Sequence, residues 1–461
     1  MQKLLGEEYE AFLAAYELPR AFSLRVNPLK LTREEFLSLA EAEGWQLTPV
    51  PWEENGFYYR EEDHPGKHPF HEAGFYYIQE ASAMAVAALG KARPGEKVLD
   101  LCAAPGGKST QLAAALGGSG LLVANEIHPA RARILSQNIE RLGITDCVVT
   151  NESPEKLAEV FPSFFDRIVV DAPCSGEGMF RKEEDAVRMW STENVLLCAA
   201  RQLDILEKAA VMLSPGGTLV YSTCTFAPEE NEENLALFLN GHPEFSMENL
   251  PLPEGFMSGR PDWCGERTSG VSGQIIAQTA AAFRLFPHRL RGAGHFMAVL
   301  KKSGTPTPAV GRTDKSRIDP KALRLWKEFV DSELNGEACK ALTEGVPVLF
   351  GEELSLLPRQ LPLKGLRILR PGLHLGGIRK DRFEPSHALA LALKQEQVRI
   401  RVNLSPAEAA AYLRGDTLQL PEELAREKGW ALVLVCGRSI GWGKASGGKL
   451  KNHYPKGLRR S

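Results

Sequence analysis

A short strand that breaks into a glycine-rich turn and then opens a helix constrains the fold of this chain more than any other sequence feature. Residues 99–109 read Leu-Asp-Leu-Cys-Ala-Ala-Pro-Gly-Gly-Lys-Ser. The apolar residues before the turn are typical of a buried strand, and the glycines allow backbone N–H groups to face a ligand at the start of the helix. This order of elements predicts an open α/β sheet with a ligand at the turn.

Alternating strand and helix patterns continue through the middle of the chain and predict a doubly wound, Rossmann-like α/β domain. Helical patterns cover residues 130–142 and 195–213. A further helix is predicted to begin near Pro228, with Glu229 and Glu230 in its first turn. The predicted strands, all between residues 79 and 300, are residues 97–101, 121–125, 147–150, 167–171, 218–221, 284–286 and 295–300.

The length of 461 residues predicts about three domains at ~150 residues each. A stretch rich in Pro, Gly and Thr at residues 301–308 is typical of a linker. The predicted units are an N-terminal accessory, RNA-binding domain at residues 1–70, the α/β domain at 71–302, a linker with an intermediate domain at 303–380 and a compact C-terminal region at 381–461.

Composition argues against several classes of protein. A net charge of −3 and a pI of about 6.4 provide no global positive field for a polyanion. The polar N-terminus and the lack of a long apolar run predict a cytoplasmic protein with no membrane partner. The eight cysteines contain no Cys-x-x-Cys pair, so neither a disulfide framework nor a metal site is expected. Nothing in the sequence requires more than a monomer.

One local patch could bind a polyanion. From Trp442 onward the chain has no side-chain carboxylate, and aromatic residues are interspersed among its cations. Such mixtures favour phosphate contacts and base stacking, which predicts RNA binding, although a solvated basic tail is the alternative. The cations are Lys444, Lys449, Lys451, Lys456, Arg459 and Arg460.

Polar residues follow the predicted strands where ligands bind in open α/β sheets. They are Asp100, Glu126, Asp171 and Cys224. Glu126 closes the second strand, and a carboxylate there can accept hydrogen bonds from both ribose hydroxyls of a nucleoside. An exposed surface glutamate is the alternative interpretation.

The glycine-rich turn ends in Gly107-Lys108-Ser109, as a phosphate-binding loop does. Cys102, however, stands where that motif requires glycine. The turn is therefore predicted to hold the aminoacid end of S-adenosylmethionine, whose carboxylate suits a helix N-terminus.

Two cysteines lie in short polar motifs beyond this turn. Cys174 belongs to Asp-Ala-Pro-Cys-Ser-Gly at residues 171–176, and Cys224 to Tyr-Ser-Thr-Cys-Thr-Phe at residues 221–226. A thiolate is a good nucleophile, and two separate thiols near one cofactor suggest that a covalent adduct is both made and resolved. For a lone cysteine, a buried structural role would be the default.

Taken together, these motifs resemble those of the Sun-type RNA cytosine-5 methyltransferases. Residues 102–108, 171–178 and 222–226 carry the resemblance, which covers at least residues 79–300. It implies a class I methyltransferase domain that uses S-adenosylmethionine.

The resemblance continues into the C-terminal region. Residues 412–415, 441–444 and 452–459 resemble the PUA-like module of RsmF-type ribosomal RNA enzymes. It implies that residues 381–461 form a PUA-like RNA-binding domain. The implied partner is 16S ribosomal RNA or the small ribosomal subunit.

The family pattern also implies roles for individual residues. Cys224 would add to carbon 6 of cytosine, so that carbon 5 becomes nucleophilic toward the methyl group. Asp171 would hydrogen-bond the ring at N3 as the adduct forms, and Cys174 would assist release of the methylated base. The target cytosine is expected to be unpaired or flipped out.

Cofactor contacts are implied at the turn and at three strand ends. At the third strand end the family usually has an aspartate near the adenine, whereas this chain has Asn151, whose carbonyl oxygen can still accept from the adenine amine. The implied cofactor contacts are Cys102, Ala103, Ala104, Pro105, Gly106, Gly107, Lys108, Glu126, Asn151 and Asp171.

Rival functions fit the sequence less well. DNA cytosine-5 enzymes attack with the cysteine that follows proline, which would exchange the roles of Cys174 and Cys224, but the Thr-Cys motif argues against that exchange. Many uridine-5 enzymes carry an iron–sulfur cluster that these cysteine spacings do not build. A non-catalytic RNA-binding or ribosome-assembly factor would have no need of both thiols.

Overall fold

The computed structural model describes residues 1–182, 184–305, 318–335, 342 and 345–460. Its strands form four sheets. Within these ranges, no helix has both the length and the apolar character that a bilayer crossing requires. Residues 306–308 of the predicted linker lie outside the described residues.

The N-terminal unit is a four-stranded antiparallel sheet with flanking helices. Its elements are α1 (Gln2–Leu5), α2 (Tyr9–Glu17), β1 (Phe22–Val26), α3 (Arg33–Ala42), β2 (Thr48–Pro49), β3 (Gly56–Tyr59), α4 (Pro69–Glu72) and β4 (Tyr76–Ile78). The strand order is β2-β3-β1-β4, so the buried strand β1 is central. Helix α3 begins at a capping box, in which Thr32 and Glu35 satisfy each other's backbone N–H groups.

A ten-stranded sheet with helices on both faces forms the centre of the molecule. The elements that follow the N-terminal unit are α5 (Ala81–Gly90), β5 (Lys97–Asp100), α6 (Gly107–Leu116), β6 (Leu121–Asn125), α7 (Pro129–Arg141), β7 (Cys147–Thr150), α8 (Pro154–Val160), β8 (Phe165–Asp171), α9 (Glu184–Met189), α10 (Thr192–Met212), β9 (Leu213–Thr223), α11 (Glu232–Gly241), β10 (Phe245–Met247), β11 (Met257–Ser258), α12 (Gly273–Gln278), β12 (Phe283–Leu285) and β13 (His295–Lys302). Strands β7, β6, β5, β8 and β9 are adjacent in that order and parallel, and β13 pairs antiparallel with β9.

This arrangement confirms the predicted Rossmann-like domain, because every strand predicted from residue 97 to residue 300 is present within a few residues of its expected bounds. The helix predicted to begin near Pro228 is present as α11, but its predicted start is wrong. Residues 228–231 form a turn in which the Asn231 N–H donates to the Pro228 carbonyl oxygen, and α11 begins only at Glu232. The turn forms because Asn231 also bonds to Thr223 and Thr225, which ties it to the end of β9.

The C-terminal half adds two smaller sheets. Its elements are α13 (Pro320–Glu333), β14 (Val346–Phe350), β15 (Glu353–Leu357), β16 (Ile368–Pro371), β17 (Leu373–Arg379), β18 (Arg382–Pro385), α14 (His387–Ala392), β19 (Ile400–Leu404), α15 (Pro406–Arg414), β20 (Leu418–Gln419), β21 (Gly429–Val435), β22 (Arg438–Ser446) and β23 (Lys449–Asn452). Four strands form the sheet β14-β15-β17-β18, and five form β19-β21-β22-β23-β20. Strand β16 instead joins the edge of the central sheet, antiparallel to β7.

Single turns of 3-10 helix complete the described elements. They are Gly6–Glu8, Glu61–Asp63, Pro65–Lys67, Glu177–Met179, Pro261–Trp263, Glu266–Thr268, Thr279–Ala281, Gln395–Gln397, Glu422–Leu424 and Lys456–Leu458.

The first and last sheets, although far apart in sequence, share one hydrophobic core. Phe36 and Tyr76 of the N-terminal unit belong to the same buried cluster as Tyr412 and Val433. The Glu72 carboxylate strengthens this contact, because it accepts a hydrogen bond from Arg460 at 2.7 Å. The two ends of the chain therefore form one packed body beside the central sheet.

Candidate active site

A cavity of about 730 Å³ opens at the carboxyl ends of the parallel strands. The residues after β5, β6, β8 and β9 converge there, as the sequence predicts for an open α/β sheet. Six of the predicted site residues line it: Cys102, Ala104, Glu126, Asp171, Cys174 and Cys224.

The turn between β5 and α6 forms one wall. Cys102 and Ala104 face the cavity, while the neighbouring Ala103 is buried and its N–H donates to the Asn125 carbonyl oxygen at 2.8 Å. Burial raises the pKa of the Cys102 thiol far above its ordinary value, and the carboxylates around it add to the effect. Cys102 therefore remains a neutral thiol, suited to packing rather than to nucleophilic attack.

The second half of the turn bends toward helix α7. The Pro105 carbonyl oxygen accepts a hydrogen bond from Asn138 at 2.9 Å. Gly106 has a φ of 117°, a backbone conformation that an L side chain rarely adopts. Gly107 then begins α6, and its carbonyl oxygen accepts a hydrogen bond from the fully buried Arg25 of the N-terminal unit at 3.0 Å. The predicted glycine turn is thus braced from two sides.

Glu126 lies at the end of β6, with its side chain 3% exposed. One carboxylate oxygen accepts from the His128 N–H at 2.9 Å, and the other lies 3.3 Å from the Arg131 guanidinium. Arg131 also donates to the Ala104 carbonyl oxygen at 2.8 Å, which links Glu126 to the glycine turn. A carboxylate oxygen can accept more than one hydrogen bond, so Glu126 retains acceptor capacity toward the cavity.

Asn151 is buried beneath this loop and is not among the residues that line the cavity. Its side-chain amide donates to the carbonyl oxygens of Glu126 and Ile127, at 2.7 Å and 2.9 Å. This geometry makes Asn151 a support for the Glu126 loop. The adenine contact predicted for Asn151 remains a prediction.

Asp171 lies among three polar side chains. The Lys108 ammonium is 2.7 Å from one of its carboxylate oxygens, and Ser222 donates to the other at 2.8 Å. His295 Nε2 lies 3.7 Å from the same second oxygen. Burial by itself would raise the pKa of Asp171, but Lys108 and His295 lower it more, so the net pKa lies well below its ordinary value. Asp171 is therefore a carboxylate at neutral pH.

The two motif cysteines meet at the same edge. Their Sγ atoms are 3.2 Å apart, and the Cys224 N–H donates to Cys174 Sγ at 3.3 Å. The hydrogen bond with Cys224 and then burial raise the pKa of Cys174 well above that of an ordinary thiol. Cys174 is therefore held as a neutral thiol. Both cysteines are free and partly exposed toward the cavity.

The loop that carries Cys174 is held by a buried acid that sequence reasoning did not identify as functional. Glu230 accepts from the Ser175 N–H at 3.0 Å and from Gln202 at 2.7 Å. Gln202 also donates to the Pro173 carbonyl oxygen at 2.9 Å. Glu230 comes from the turn that the sequence had suggested would be helical, which is why its role was missed.

His295 and Arg131 were also not assigned in the sequence. Each follows a recognisable signal, since His295 starts a strand in Gly-His-Phe and Arg131 lies in the first turn of the helix after Glu126. His295 Nε2 is buried and has no hydrogen-bond partner within the described ranges. Those ranges contain no group of three or more His, Cys, Asp or Glu side chains that could hold a metal ion.

Models of known protein families match nearly the whole chain. The model for the 16S rRNA methyltransferase RsmB/F matches residues 87–301, and that for the N-terminal domain of the 16S rRNA methyltransferase RsmF matches residues 1–81. The model for the RsmF first C-terminal domain matches residues 328–393, and that for the methyltransferase RsmF PUA domain matches residues 399–460. The predicted PUA-like region is thereby confirmed.

Individual proteins agree with these matches. The ribosomal RNA small subunit methyltransferase F of Klebsiella pneumoniae is 36% identical over 98% of this chain and 93% of its own length. A methyltransferase homologue from Pyrococcus horikoshii is 31% identical, with a TM-score of 0.55 over 64% of this chain and 91% of its own. A second structure from that organism, NSun6 with SFG, shares the fold at 21% identity and a TM-score of 0.53, over 66% of this chain and 97% of its own. This chain therefore belongs to the RsmF family of 16S ribosomal RNA methyltransferases.

Proposed function

We propose that this protein transfers a methyl group from S-adenosylmethionine to carbon 5 of a cytosine in 16S ribosomal RNA, through a covalent adduct with Cys224. The observation that carries the proposal is the convergence of two thiols and an ion-paired aspartate in one cavity. Cys224 Sγ is 3.2 Å from Cys174 Sγ. Asp171, which is ion-paired with Lys108, lines the same cavity as the two cysteines.

The residues present fit S-adenosylmethionine. Gly106 and the N-terminus of α6 offer backbone N–H groups for a carboxylate, and Glu126 offers acceptor oxygens for ribose hydroxyls. A cavity of about 730 Å³ has room for a nucleoside and a flipped base together. When bound, the cofactor supplies an electrophilic methyl group on a positively charged sulfur.

Cys224 opens the reaction. Its thiol loses its proton to water and its sulfur forms a bond to carbon 6 of cytosine, which pushes electron density toward N3 and carbon 5. Asp171 is a carboxylate paired with the protonated Lys108, so the pair can hold a proton at N3 and balance the charge that develops there. Carbon 5 then accepts the methyl group.

Cys174 takes part in the closing step. Carbon 5 must lose its proton, and the bond between Cys224 and carbon 6 must break, before the methylated base can leave. The carbon 5 proton passes to water, and the electron pair of that C–H bond re-forms the ring double bond as Cys224 leaves as a thiolate. Cys174 touches Cys224 and lines the same cavity, so its neutral thiol is placed to donate a hydrogen bond to the departing sulfur. The raised pKa of Cys174 keeps it protonated at neutral pH, which disfavours it as the attacking thiolate and favours Cys224 as the nucleophile.

The rest of the chain would present the RNA. The matched PUA domain contains a cluster in which His453 packs against Trp430 and the Lys444 ammonium lies 5.6 Å from the Trp430 ring centroid. Aromatic and cationic groups of this kind stack on bases and contact phosphates. We infer a division into four units near residues 70, 302 and 380, and a monomer that acts on ribosomal RNA in the cytoplasm.

Trapping on RNA that contains 5-fluorocytosine tests the nucleophile. Fluorine at carbon 5 cannot be lost as a proton, so wild-type enzyme with S-adenosylmethionine should form a stalled covalent complex that survives denaturing electrophoresis. Cys224→Ala should form none. A Cys224→Ala protein that still cross-links would refute the assignment, and a wild-type protein that binds RNA without cross-linking would instead be a non-catalytic RNA-binding factor.

Cys174→Ala tests the release step with ordinary RNA. Without the Cys174 thiol to stabilise the departing sulfur, the adduct should accumulate on unmodified cytosine, and multiple turnover should fall at least tenfold, whereas the first methyl transfer continues. Cys198→Ala is a matched control, because Cys198 is a buried cysteine on α10. Normal turnover by Cys174→Ala would contradict its role. Bisulfite sequencing of ribosomal RNA from a deletion strain would identify the methylated cytosine.

A further inference from the structure

We propose that a second cavity, between the N-terminal unit and the central domain, binds the base and phosphate of the nucleotide next to the target cytosine. This inference rests on the proposed function, since it states how the enzyme binds the RNA next to the target cytosine. The cavity has a volume of about 330 Å³ and is lined by both units.

The floor of this cavity is apolar and aromatic. Phe22 and Tyr59 lie side by side on β1 and β3, with ring centroids 5.8 Å apart and planes tilted by 37°. Phe22 is half-buried and Tyr59 is buried, whereas Ile78, on the adjacent strand β4, is 36% exposed. Aromatic and aliphatic side chains that line a cavity can pack against the face of a nucleobase.

The rim is positively charged. Arg20, Arg181 and Lys182 line the cavity, and of these Arg20 and Lys182 are exposed while Arg181 is half-buried. The guanidinium of Arg181 donates to the carbonyl oxygens of Leu18 and Pro19, but its buried Nε has no hydrogen-bond partner within the described ranges. A buried, unpaired N–H is costly, and a phosphate oxygen would satisfy it.

The single carboxylate among the lining residues is already engaged. Glu80 accepts from the Ala83 N–H at 3.1 Å and from the Ala293 N–H at 2.8 Å. Three cations and one internally bonded carboxylate leave a net positive surface. The complementary ligand is an anion attached to a flat ring, as in a nucleotide of single-stranded RNA.

The position of the cavity decides which nucleotide it takes. Gly178 lines it, and the Gly178 N–H donates to the Cys224 carbonyl oxygen at 2.8 Å. A side chain at this glycine would collide with the Gly294 and Cys224 backbones. Gly176 and Met179 of the same loop line the active-site cavity, so one short loop borders both cavities. A base held beside Phe22 therefore belongs to the immediate neighbour of the cytosine at Cys224.

Abasic RNA tests the proposal. An oligoribonucleotide that contains the methylated cytosine would be made with an abasic residue on the 5′ side or on the 3′ side of it. With wild-type enzyme, one of the two should show a KM raised about tenfold and an unchanged kcat, because one stacked base is lost. Wild-type KM values for both abasic RNAs would overturn the proposal.

The Phe22→Ala variant, combined with the abasic RNAs, gives a double-mutant cycle between the protein side chain and the RNA base. It should raise the KM for intact RNA about tenfold and show no further rise with the sensitive abasic RNA, because base and ring form a single contact. Additive effects would place the contact elsewhere. Phe22→Leu, which keeps apolar volume without an aromatic ring, secures the test if Phe22→Ala does not fold, and it should raise the KM in the same direction.

The cations have a separate readout. Lys182→Ala should weaken RNA binding and make it less dependent on salt, by about one counterion. Lys327→Ala, at an exposed position on α13, is the matched control and should behave as wild type. An unchanged salt dependence for Lys182→Ala would remove the phosphate contact from the proposal.

Failure of this inference is distinguishable from failure of the proposed function. Covalent trapping with 5-fluorocytosine RNA at saturating concentration reports on Cys224, and the KM for abasic RNA reports on the second cavity. Trapping without an abasic effect would overturn only the second cavity. An absence of trapping by the wild type would overturn the proposed chemistry, and binding of the same abasic RNAs would still test the cavity.

Discussion

At the scale of single residues, the ionisation state of Asp171 depends on its neighbour Lys108. The two side chains are in contact at 2.7 Å, and burial around them strengthens their attraction. The pKa of Lys108 is raised in turn, because the attraction of Asp171 and Asp100 exceeds the burial that opposes it. One proton therefore stays on the ammonium, where, under the proposed function, it can be shared with N3 of the target cytosine.

Lys108→Met should reveal this dependence in the pH profile. Lys108 holds the pKa of Asp171 low, so the wild-type carboxylate stays ionised through the neutral range. Without the ammonium, burial raises the pKa of Asp171, and kcat should fall as the pH decreases through that raised value. We expect a loss of at least about tenfold near neutral pH, measured at saturating cofactor and RNA.

Lys156→Met provides the control for this measurement, since Lys156 is exposed and pairs with the exposed Glu159. Its profile should match that of the wild type. A Lys108→Met profile parallel to the wild type at all pH values would show that Asp171 ionises independently of Lys108.

At the scale of elements, buried ion pairs set the shape of the loop after β9. Arg284 on β12 and Glu232 at the start of α11 are both almost completely buried and pair with each other. Arg284 also donates to the Phe226 carbonyl oxygen at 2.9 Å, two residues beyond Cys224. The helix, the strand and the loop that carries Cys224 are therefore tied at one point.

Arg284→Met should destabilise the central domain and misplace Cys224. Removing one partner leaves Glu232 buried and unpaired, which typically costs about 3–5 kcal/mol. A lower midpoint of thermal unfolding and faster hydrogen exchange in residues 219–226 would be the measurements. Arg324→Met, which breaks an exposed pair with Glu328, should change stability by less than about 1 kcal/mol. Equal effects of the two variants would contradict the assignment.

Secondary-structure elements were predicted with unequal accuracy from the local sequence pattern. Strands β5, β6 and β7 were predicted within one residue, because buried parallel strands are short apolar runs with clear polar ends. The helix expected to begin at Pro228 begins only at Glu232, because Asn231 bonds to Thr223 and Glu230 bonds to the distant Ser175, which override local helix signals. A local pattern of residue types contains no information about such tertiary partners.

At the scale of the whole molecule, the two ends of the chain are joined around Lys30. Its ammonium donates to the Leu391 carbonyl oxygen at the end of α14, and its own carbonyl oxygen accepts from Arg438. Arg438 also pairs with Glu35 at 2.9 Å. Burial, and then the nearby Arg438, lower the pKa of Lys30 to about 7.

Lys30→Met should stabilise the junction more at low pH than at high pH. A lysine whose folded pKa lies below its unfolded value opposes folding most when it must stay charged, so the penalty is complete below about pH 7 and fades as the pH rises toward 10.5. The gain in unfolding midpoint should therefore be larger at pH 6 than at pH 9. Lys67→Met, at an exposed position of the same unit, should show no such difference. A gain independent of pH would contradict a buried charge at Lys30.

The sequence by itself determined the family, the central fold and the cofactor, because each is recorded in short stretches: a strand, a glycine turn, a cysteine motif. The structure and the comparisons confirm these three predictions. The individual site residues stay predictions, but the structure places Glu126, Asp171, Cys174 and Cys224 around one cavity. The position of these residues at strand ends predicted that they would lie close together, since parallel strands bring their carboxyl ends to one edge of the sheet.

Only the tertiary structure decided which side chains act on one another. The pairing of Lys108 with Asp171, the loop support by Glu230 and the shared core of the two chain ends join residues 55 to several hundred positions apart. Such contacts arise when packing removes polar groups from water and forces each to find a partner, wherever it lies in the chain. That pairing depends on distance in space, which a linear pattern of residue types does not record.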